Sequence, residues 1–230
     1  MHTPLKHPPA PYTSDPGPGV LPFFAGCDPF KRWVLPKEKA AESSTEEDEA
    51  SSAMQEPVET LVRSTIQSIK EKGGTVAGLI GFSQGTRIVA GLLKGAEIAA
   101  RLRAEGNEAG ELAWLDFAFA LSVCGSFPPP LLPAAASAAL AASSLPADAQ
   151  EALLSAKIAI PTYHVQGVSD EWAWAGKLLI ENTFDVGDGK SVVMEAEMGH
   201  HYPSVPEETA KLRDWIVDVY EQSVGEAEER

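Results

Sequence analysis

Cysteine is scarce in this chain of 230 residues, which contains only Cys27 and Cys124. The two are far apart and belong to no C-x-x-C or other metal-ligand spacing, so the sequence offers neither a disulfide framework nor a zinc site. We interpret both as small buried apolar residues of a protein in a reducing compartment. The sequence therefore predicts no metal ion and no other cofactor.

Basic residues are also few, since 18 Lys and Arg face 33 Asp and Glu and leave a net charge of -15. Nucleic acids and anionic membrane surfaces are bound through basic patches, so we expect neither as a partner. No apolar run is long enough to cross a bilayer, and the first residues lack the apolar core of a signal peptide. We therefore expect a cytoplasmic protein, and the length suits a single globular domain over residues 1–230.

Three stretches lack the periodicity of regular secondary structure. Residues 1–22 contain seven prolines and predict an extended, irregular start. Residues 36–55 have almost no apolar side chains, include five carboxylates within residues 42–49, and predict a mobile acidic insertion. Residues 125–146 are rich in proline and alanine, and they are either a lid loop or a surface connection with a short helix.

The rest of the chain alternates between strand and helix patterns. We predict strands over residues 76–80, 112–124, 158–166 and 190–196, and helices over 56–72, from the residues after Ser83 to about 104, 171–183 and 206–224. This alternation predicts an α/β fold, a mostly parallel sheet with helices on both faces. In such a sheet the functional loops lie at the carboxyl ends of the strands.

The sequence Gly81-Phe82-Ser83-Gln84-Gly85 is a G-x-S-x-G motif between a predicted strand and a predicted helix. That context is typical of a serine nucleophile, which a sharp turn holds clear of the sheet, with glycines where a Cβ would collide with the neighbouring backbone. The alternative is a glycine-rich turn in which Ser83 only caps the helix.

Two more candidates follow strands in the same way, Asp170 and His200. The order Ser, Asp, His is that of α/β-hydrolases. A serine hydroxyl needs a neutral imidazole to take its proton, and the imidazolium then needs an anion on its other nitrogen. We therefore predict Ser83 as nucleophile, His200 as base and Asp170 as its orienting acid, with the backbone N–H of Gln84 as an oxyanion donor.

Each candidate has rivals that the sequence alone leaves open. His201 adjoins His200, and only geometry can choose between them. Glu171 and Asp116 compete with Asp170, which can instead cap the helix that follows it. We interpret His164, inside a predicted strand, as a hydrogen-bonded core residue. Aromatic side chains for an acyl pocket are also proposed, with ordinary core packing as the alternative: Phe127, Trp172 and Trp174.

With these motifs, two longer stretches carry a resemblance to a known family. They are residues 16–33, PGPGVLPFFAGCDPFKRW, and residues 163–176, YHVQGVSDEWAWAG. The chain resembles the fungal serine hydrolase family of small α/β-hydrolases, in particular polyketide-synthase-associated thioesterases of the lovastatin-pathway type. The resemblance implies the same roles for Ser83, Asp170 and His200. It also implies hydrolysis of a small-molecule acyl ester or of an acyl thioester on a carrier protein, with a polyketide synthase as a partner.

One part of the family pattern has no match here. Members begin with a strand and a His-Gly loop that supplies a second oxyanion N–H, and nothing before Pro16 resembles either. We therefore expect a sheet without that first strand. An active serine esterase or thioesterase is one function that stays open, and a catalytically impaired homologue that binds a polyketide or a synthase is another. Acyl transfer or carbon–carbon hydrolysis on the same scaffold is a third.

Overall fold

A computed structural model describes residues 5–17, 21, 24–35, 52–107 and 110–228. Most of the predicted acidic insertion and parts of the predicted extended start lie outside the described residues. The described part of the start contains strand β1 (Tyr12–Ser14), which pairs antiparallel with β2 (Phe30–Arg32). In this ribbon Tyr12 lies opposite Arg32 and Thr13 opposite Lys31.

The main sheet has four parallel strands in the order β3-β4-β5-β6. They are β3 (Gly78–Phe82), β4 (Phe119–Val123), β5 (Thr162–Gly167) and β6 (Val192–Ala196). Every residue of β4 and β5 is buried, as expected for strands covered on both faces. Within the part of the chain that the structure describes, β3 is an edge strand of this sheet.

Helices connect the strands and cover both faces. They are α1 (Glu56–Glu71), α2 (Gly85–Ala104), α3 (Ala134–Ala141), α4 (Ala147–Ser155), α5 (Ala173–Thr183) and α6 (Pro206–Glu228), with a 3-10 turn at Gly110–Leu112. The α1 helix ends before Gly73, whose φ of 78° suits the left-handed end of a helix. Among the described residues, no helix has both the length and the apolar character to cross a membrane.

The core consists of two clusters separated by the sheet. The larger one joins α1, α2 and α3 to one face and is centred on α2, where Leu93 and Ile98 are fully buried. The smaller one joins Leu121 and Val165 to Leu212 of α6 on the opposite face. This three-layer arrangement confirms the predicted α/β class.

Several element boundaries differ from the predicted ones, among them the start of β5, which is Thr162 and not residue 158. Two of the differences have a clear physical reason. The β4 strand begins at Phe119, not at residue 112, because the buried side chains of Leu112 and Trp114 belong to a turn that precedes it. The α5 helix begins at Ala173, not at residue 171, because the backbone first turns through Asp170 and Trp172. Apolar content fits both a strand and a packed turn, so periodicity did not separate them.

Candidate active site

Ser83 occupies a sharp turn between β3 and α2. Its φ is 50°, in the left-handed region that few residues other than glycine adopt. A Cβ on Gly81 would stand 2.8 Å from the carbonyl oxygen of Gly85, so the turn is too tight for a side chain there. The N–H of Ser83 donates to the carbonyl of Val123 at 3.1 Å and ties the turn to the end of β4.

The Ser83 side chain is not a helix cap. Gln84 occupies the N-cap position of α2, and no side chain caps this helix. Instead, the carbonyl of Ser83 accepts hydrogen bonds from the hydroxyl and the N–H of Thr86, at 2.6 and 3.0 Å. Among the described residues, neither the Ser83 hydroxyl nor the Gln84 N–H has a hydrogen-bond partner. Both are therefore available to a ligand.

Asp170 and His200 are in direct contact at the carboxyl edge of the sheet. Oδ2 of Asp170 lies 2.9 Å from Nδ1 of His200, and Oδ1 accepts a hydrogen bond from the backbone N–H of Trp172 at 2.8 Å. Asp170 is 7% exposed, so its charge is shielded from water. The carboxylate thus orients an imidazole and also serves as a turn cap, the two roles that the sequence set against each other.

The geometry selects one histidine of the adjacent pair. His201 is exposed, and its Nδ1 lies 2.8 Å from the carbonyl of Tyr202 instead of a carboxylate. His200 packs on Phe82, the residue before Ser83, with ring centroids 5.0 Å apart. His200 and Ser83 line the same cavity, about 1430 Å³ in volume, although no hydrogen bond joins them in this structure.

His164 and the rival carboxylates lie apart from this contact. His164 is fully buried in β5 against Phe184, and neither ring nitrogen has a hydrogen-bond partner among the described residues, contrary to our interpretation of it as a hydrogen-bonded core residue. Glu171 accepts from the indole N–H of Trp172 at 3.1 Å, and Asp116 is exposed.

The predicted aromatic pocket is only partly assembled. Phe127 and Trp172 line the cavity with Ser83. Trp174 does not, because it is 55% exposed and borders a different groove beside Lys177. Residues two apart at the start of a helix point in different directions, which explains why Trp174 diverges from Trp172.

Of the two cysteines that we interpreted as buried, Cys124 is buried, whereas Cys27 is exposed, so the interpretation was wrong for Cys27. Sequence reasoning also missed where Cys124 lies. It follows β4 directly, has a φ of 46°, and is 1% exposed. Its Sγ lies 3.7 and 3.5 Å from the carbonyl oxygens of Gly199 and His201, which flank His200. Burial, followed by the nearby Asp170 carboxylate, raises the pKa of the Cys124 thiol to about 11. The sequence feature that could have revealed this position is that Cys124 directly follows a strand, as Ser83 does.

The thiol of Cys124, the carboxylate of Asp170 and the imidazole of His200 lie within 4.8 Å of one another. They are the described residues that could hold a metal ion. Because Nδ1 of His200 is already bonded to Asp170, the arrangement is also complete without one.

Arg87 was also missed, since nothing in the sequence distinguishes it from a surface cation. It is 9% exposed, and its Nε donates to the carbonyl of Pro129 at 2.8 Å. The guanidinium lies 5.5 Å from the ring centroid of Phe127, and the Arg87 carbonyl accepts from the N–H of Leu131. Burial lowers the pKa of Arg87. The first turn of α2 therefore holds residues 127–131 beside Ser83.

Residues 18–212 match the model of the family described as Serine hydrolase (FSH1). The chain belongs to this family. Among relatives, it is 28% identical over 219 residues to Esterase FUS5 of Gibberella fujikuroi, covering 93% of this chain and 72% of the relative. It is 25% identical over 227 residues to Thioesterase FSL2 of Gibberella zeae, covering 93% and 79%. It is 30% identical over 185 residues to Esterase GME11355 of Pestalotiopsis microspora, covering 75% and 64%.

Membership confirms the predicted resemblance and the enzyme class. The protein is a serine hydrolase, and the relatives carry the names of esterases and thioesterases, enzymes that act on ester bonds. The matched range includes the Ser83 turn, the Asp170 loop and His200.

Proposed function

We propose that this serine hydrolase cleaves an ester or thioester through a Ser83–His200–Asp170 triad and an acyl-enzyme. The observation that carries the proposal is the 2.9 Å contact between Asp170 and His200 in a site where His200 and Ser83 line one cavity. In hydrolases of this order each group has a defined task, and the three side chains come from three separate loops.

Catalysis follows from these contacts. Asp170 holds the Nδ1 proton of His200, which leaves Nε2 as the base for the Ser83 hydroxyl. Attack of Ser83 on the substrate carbonyl forms an oxyanion, to which the free N–H of Gln84 donates. His200 returns the proton to the departing alcohol or thiol. Water then attacks the acyl-enzyme with His200 again as base, and the acid is released.

For the substrate we propose a small-molecule acyl ester or an acyl thioester held on a carrier protein, with a polyketide synthase as the source of the acyl group. A thioesterase among the relatives supports the thioester alternative. The apolar residues of the cavity, among them Ile88 and Leu92, suit the hydrocarbon part of an acyl chain. A cytoplasmic location is part of this proposal.

Active-site labelling tests the proposal directly. We expect a fluorophosphonate probe to modify the native protein on the peptide that contains Ser83, as measured by mass spectrometry. Ser83→Ala should abolish labelling, whereas Ser64→Ala, which removes an exposed hydroxyl on α1, should not. Equal labelling of the wild type and the Ser83→Ala variant would defeat the proposal.

A second candidate function rests on the absence of a hydrogen bond between Ser83 and His200. In a catalytically impaired hydrolase that only binds a polyketide or a synthase, the Ser83 hydroxyl would have no hydrogen bond to its base. The test is turnover of 4-nitrophenyl esters and N-acetylcysteamine thioesters. Ligand binding without Ser83-dependent turnover would favour the binding protein, and Ser83-dependent turnover would eliminate it.

A further inference from the structure

The cavity that contains Ser83 has a charge balance opposite to that of the protein. The whole chain carries a net charge of -15. The described residues that line the cavity include Lys6, Lys31 and Arg32, whereas Asp15 is the acidic one among them. His7 also lines this region. The described lining of the Ser83 cavity is therefore cationic, although the protein as a whole is acidic.

These cations have no anionic partner among the described residues. Among the residues that the structure describes, the Nζ of Lys31 donates only to the hydroxyl of Thr13, at 3.1 Å. The Nε of Arg32 is buried and has no hydrogen-bond partner in the described part of the chain. A guanidinium nitrogen shielded from water and left without an acceptor is unusual, because charged donors gain the most from a hydrogen bond. An anionic ligand would supply the missing acceptor.

The ribbon that carries Lys31 and Arg32 packs against the Ser83 turn. Arg32 lies opposite Tyr12 in the β1–β2 ribbon, and Tyr12 packs against the main core. The next residue, Trp33, brings its indole Nε1 to 3.8 Å from the Cβ position of residue 85, two residues after Ser83. The ribbon is therefore packed on the turn, and its cations belong to the same cavity as Ser83.

We propose that Lys6, Lys31 and Arg32, the cationic end of the cavity, bind an anionic group of the substrate remote from the scissile carbonyl. The inference rests on the proposed function and deepens it, because it defines the substrate as an anionic ester or thioester. Guanidinium and ammonium groups recognise carboxylate and phosphate oxygens. A carboxylate would lie on the acyl part, and a phosphate on the thiol part. The charge of -15 disfavours an extended polyanion as the ligand.

Two matched pairs of substrates distinguish these sources. One pair is the 4-nitrophenyl hemiester of suberic acid and its methyl ester, which differ by a carboxylate on the acyl part. The other is octanoyl-phosphopantetheine and octanoyl-pantetheine, which differ by a phosphate on the leaving thiol. We expect the wild type to prefer the charged member of at least one pair by about tenfold in kcat/KM, mainly through KM. The preference should decline as ionic strength rises.

Removing the cations should remove the preference for charged substrates. We expect Lys31→Ala/Arg32→Ala to lower kcat/KM for the charged member of the pair to the value for the neutral member, so that their ratio falls from about ten to about one. The matched control is Lys211→Ala/Arg213→Ala, which deletes the same charges from exposed positions on α6 and should keep the preference. Circular dichroism and thermal melting establish that both variants are folded.

The outcomes separate this inference from the proposed function. If the wild type has equal kcat/KM for charged and neutral substrates, the anion-site inference is overturned. Turnover that depends on Ser83 would still support the proposed hydrolase function. A preference that survives in Lys31→Ala/Arg32→Ala also overturns it. If no substrate is turned over, titration calorimetry of Ser83→Ala measures binding instead. Tighter binding of the charged esters that is lost when Lys31→Ala/Arg32→Ala is added supports the anion site. Equal binding of charged and neutral esters overturns it.

Discussion

Asp170 and His200 are joined by a contact of 2.9 Å between Oδ2 and Nδ1, while the other carboxylate oxygen, Oδ1, accepts a hydrogen bond from the backbone N–H of Trp172. The buried carboxylate can fix the imidazole in a single tautomer, because the second oxygen is already held by the N–H of Trp172. The proposed triad therefore requires a carboxylate oxygen at this position, and a side chain of the same shape without that charge should not replace it.

Asp170→Asn tests that dependence. The amide has the same shape but can present its NH₂ group to His200, which favours the wrong tautomer. We expect kcat for a 4-nitrophenyl ester to fall by about 10³- to 10⁴-fold with a small change in melting temperature. Glu171→Gln removes the neighbouring carboxylate and should keep kcat within about twofold. An Asp170→Asn enzyme with nearly full kcat would contradict the proposed role.

Arg87 should control the segment that borders the acyl side of the cavity. Arg87→Met keeps the long apolar stem but loses the hydrogen bond to Pro129 and the contact with Phe127. We expect it to lower the free energy of unfolding by about 1–3 kcal/mol and to raise KM for long acyl chains more than for acetyl esters. Arg101→Met is the control, since Arg101 is an exposed residue of the same helix, paired with Glu105. Equal changes in both variants would contradict this role.

The elements that the sequence predicted well are those in which local chemistry and tertiary structure agree. Gly81 marks the Ser83 turn because a Cβ there would stand 2.8 Å from the carbonyl oxygen of Gly85. A Cβ on Gly85 would only reach ordinary contact with the Trp33 indole at 3.8 Å, so the expected collision is confirmed for the first glycine and wrong for the second. Asp170 and His200 could be placed at one edge because parallel strands align their carboxyl ends, which is a property of topology and not of contacts.

What the sequence could not supply is the direction of individual side chains. Trp172 and Trp174 look equivalent in the sequence, but the start of α5 directs only Trp172 into the cavity. Arginine is usually a surface residue, so the sequence gives no reason to expect Arg87 to be buried. Its burial depends on a segment about forty positions later in the chain. Cys124 adjoins Asp170 through the pairing of β4 with β5. Such contacts arise from long-range packing.

Cys124 should be chemically inert in the folded protein. Its buried thiol, with a pKa raised to about 11, is almost entirely protonated at pH 8, and the thiolate is the species that reacts. We expect iodoacetamide to modify exposed Cys27 in native protein and to modify Cys124 only after unfolding in urea. Peptide mass spectrometry after timed quenching measures both rates. Native Cys124 reacting as fast as Cys27 would contradict the buried, neutral thiol.

Gly91 should be sensitive to substitution by alanine because helix α2 passes directly against the backbone at Leu131. A Cβ on Gly91 would overlap the Leu131 carbonyl, which cannot move aside like a side chain. A Cβ on Gly95, one turn later, would come closest to the Leu115 methyl, at 3.0 Å, and would make ordinary contacts at 3.5 Å with Ala136 and Pro133. We expect Gly91→Ala to lower the free energy of unfolding by about 1–3 kcal/mol or more.

Gly95→Ala is the matched control in the same helix and should be nearly neutral, since alanine favours a helix and the leucine side chain can adjust. Urea denaturation of both variants measures the difference. If Gly91→Ala were as stable as Gly95→Ala, the close approach of α2 to Leu131 would be refuted.

His164 should make the fold sensitive to mild acid. Burial lowers its pKa to about 3, whereas an unfolded chain has a histidine pKa of about 6.5. Because the folded value is the lower one, the unfolded state takes up the proton first, and stability is lost as the pH falls from about 6.5 towards 3. The linkage amounts to about 2 kcal/mol between pH 7.5 and pH 5.

His164→Leu removes this titration and places an apolar side chain against Phe184, where the two ring nitrogens had no protein partner. We expect the variant to be at least as stable as the wild type at pH 7.5 and to lose about 2 kcal/mol less on going to pH 5. His201→Gln, which removes an exposed histidine, should retain the wild-type pH dependence. Urea unfolding at several pH values between 7.5 and 5 measures all three proteins. Parallel curves for His164→Leu and the wild type would show that His164 is not the group that couples folding to pH.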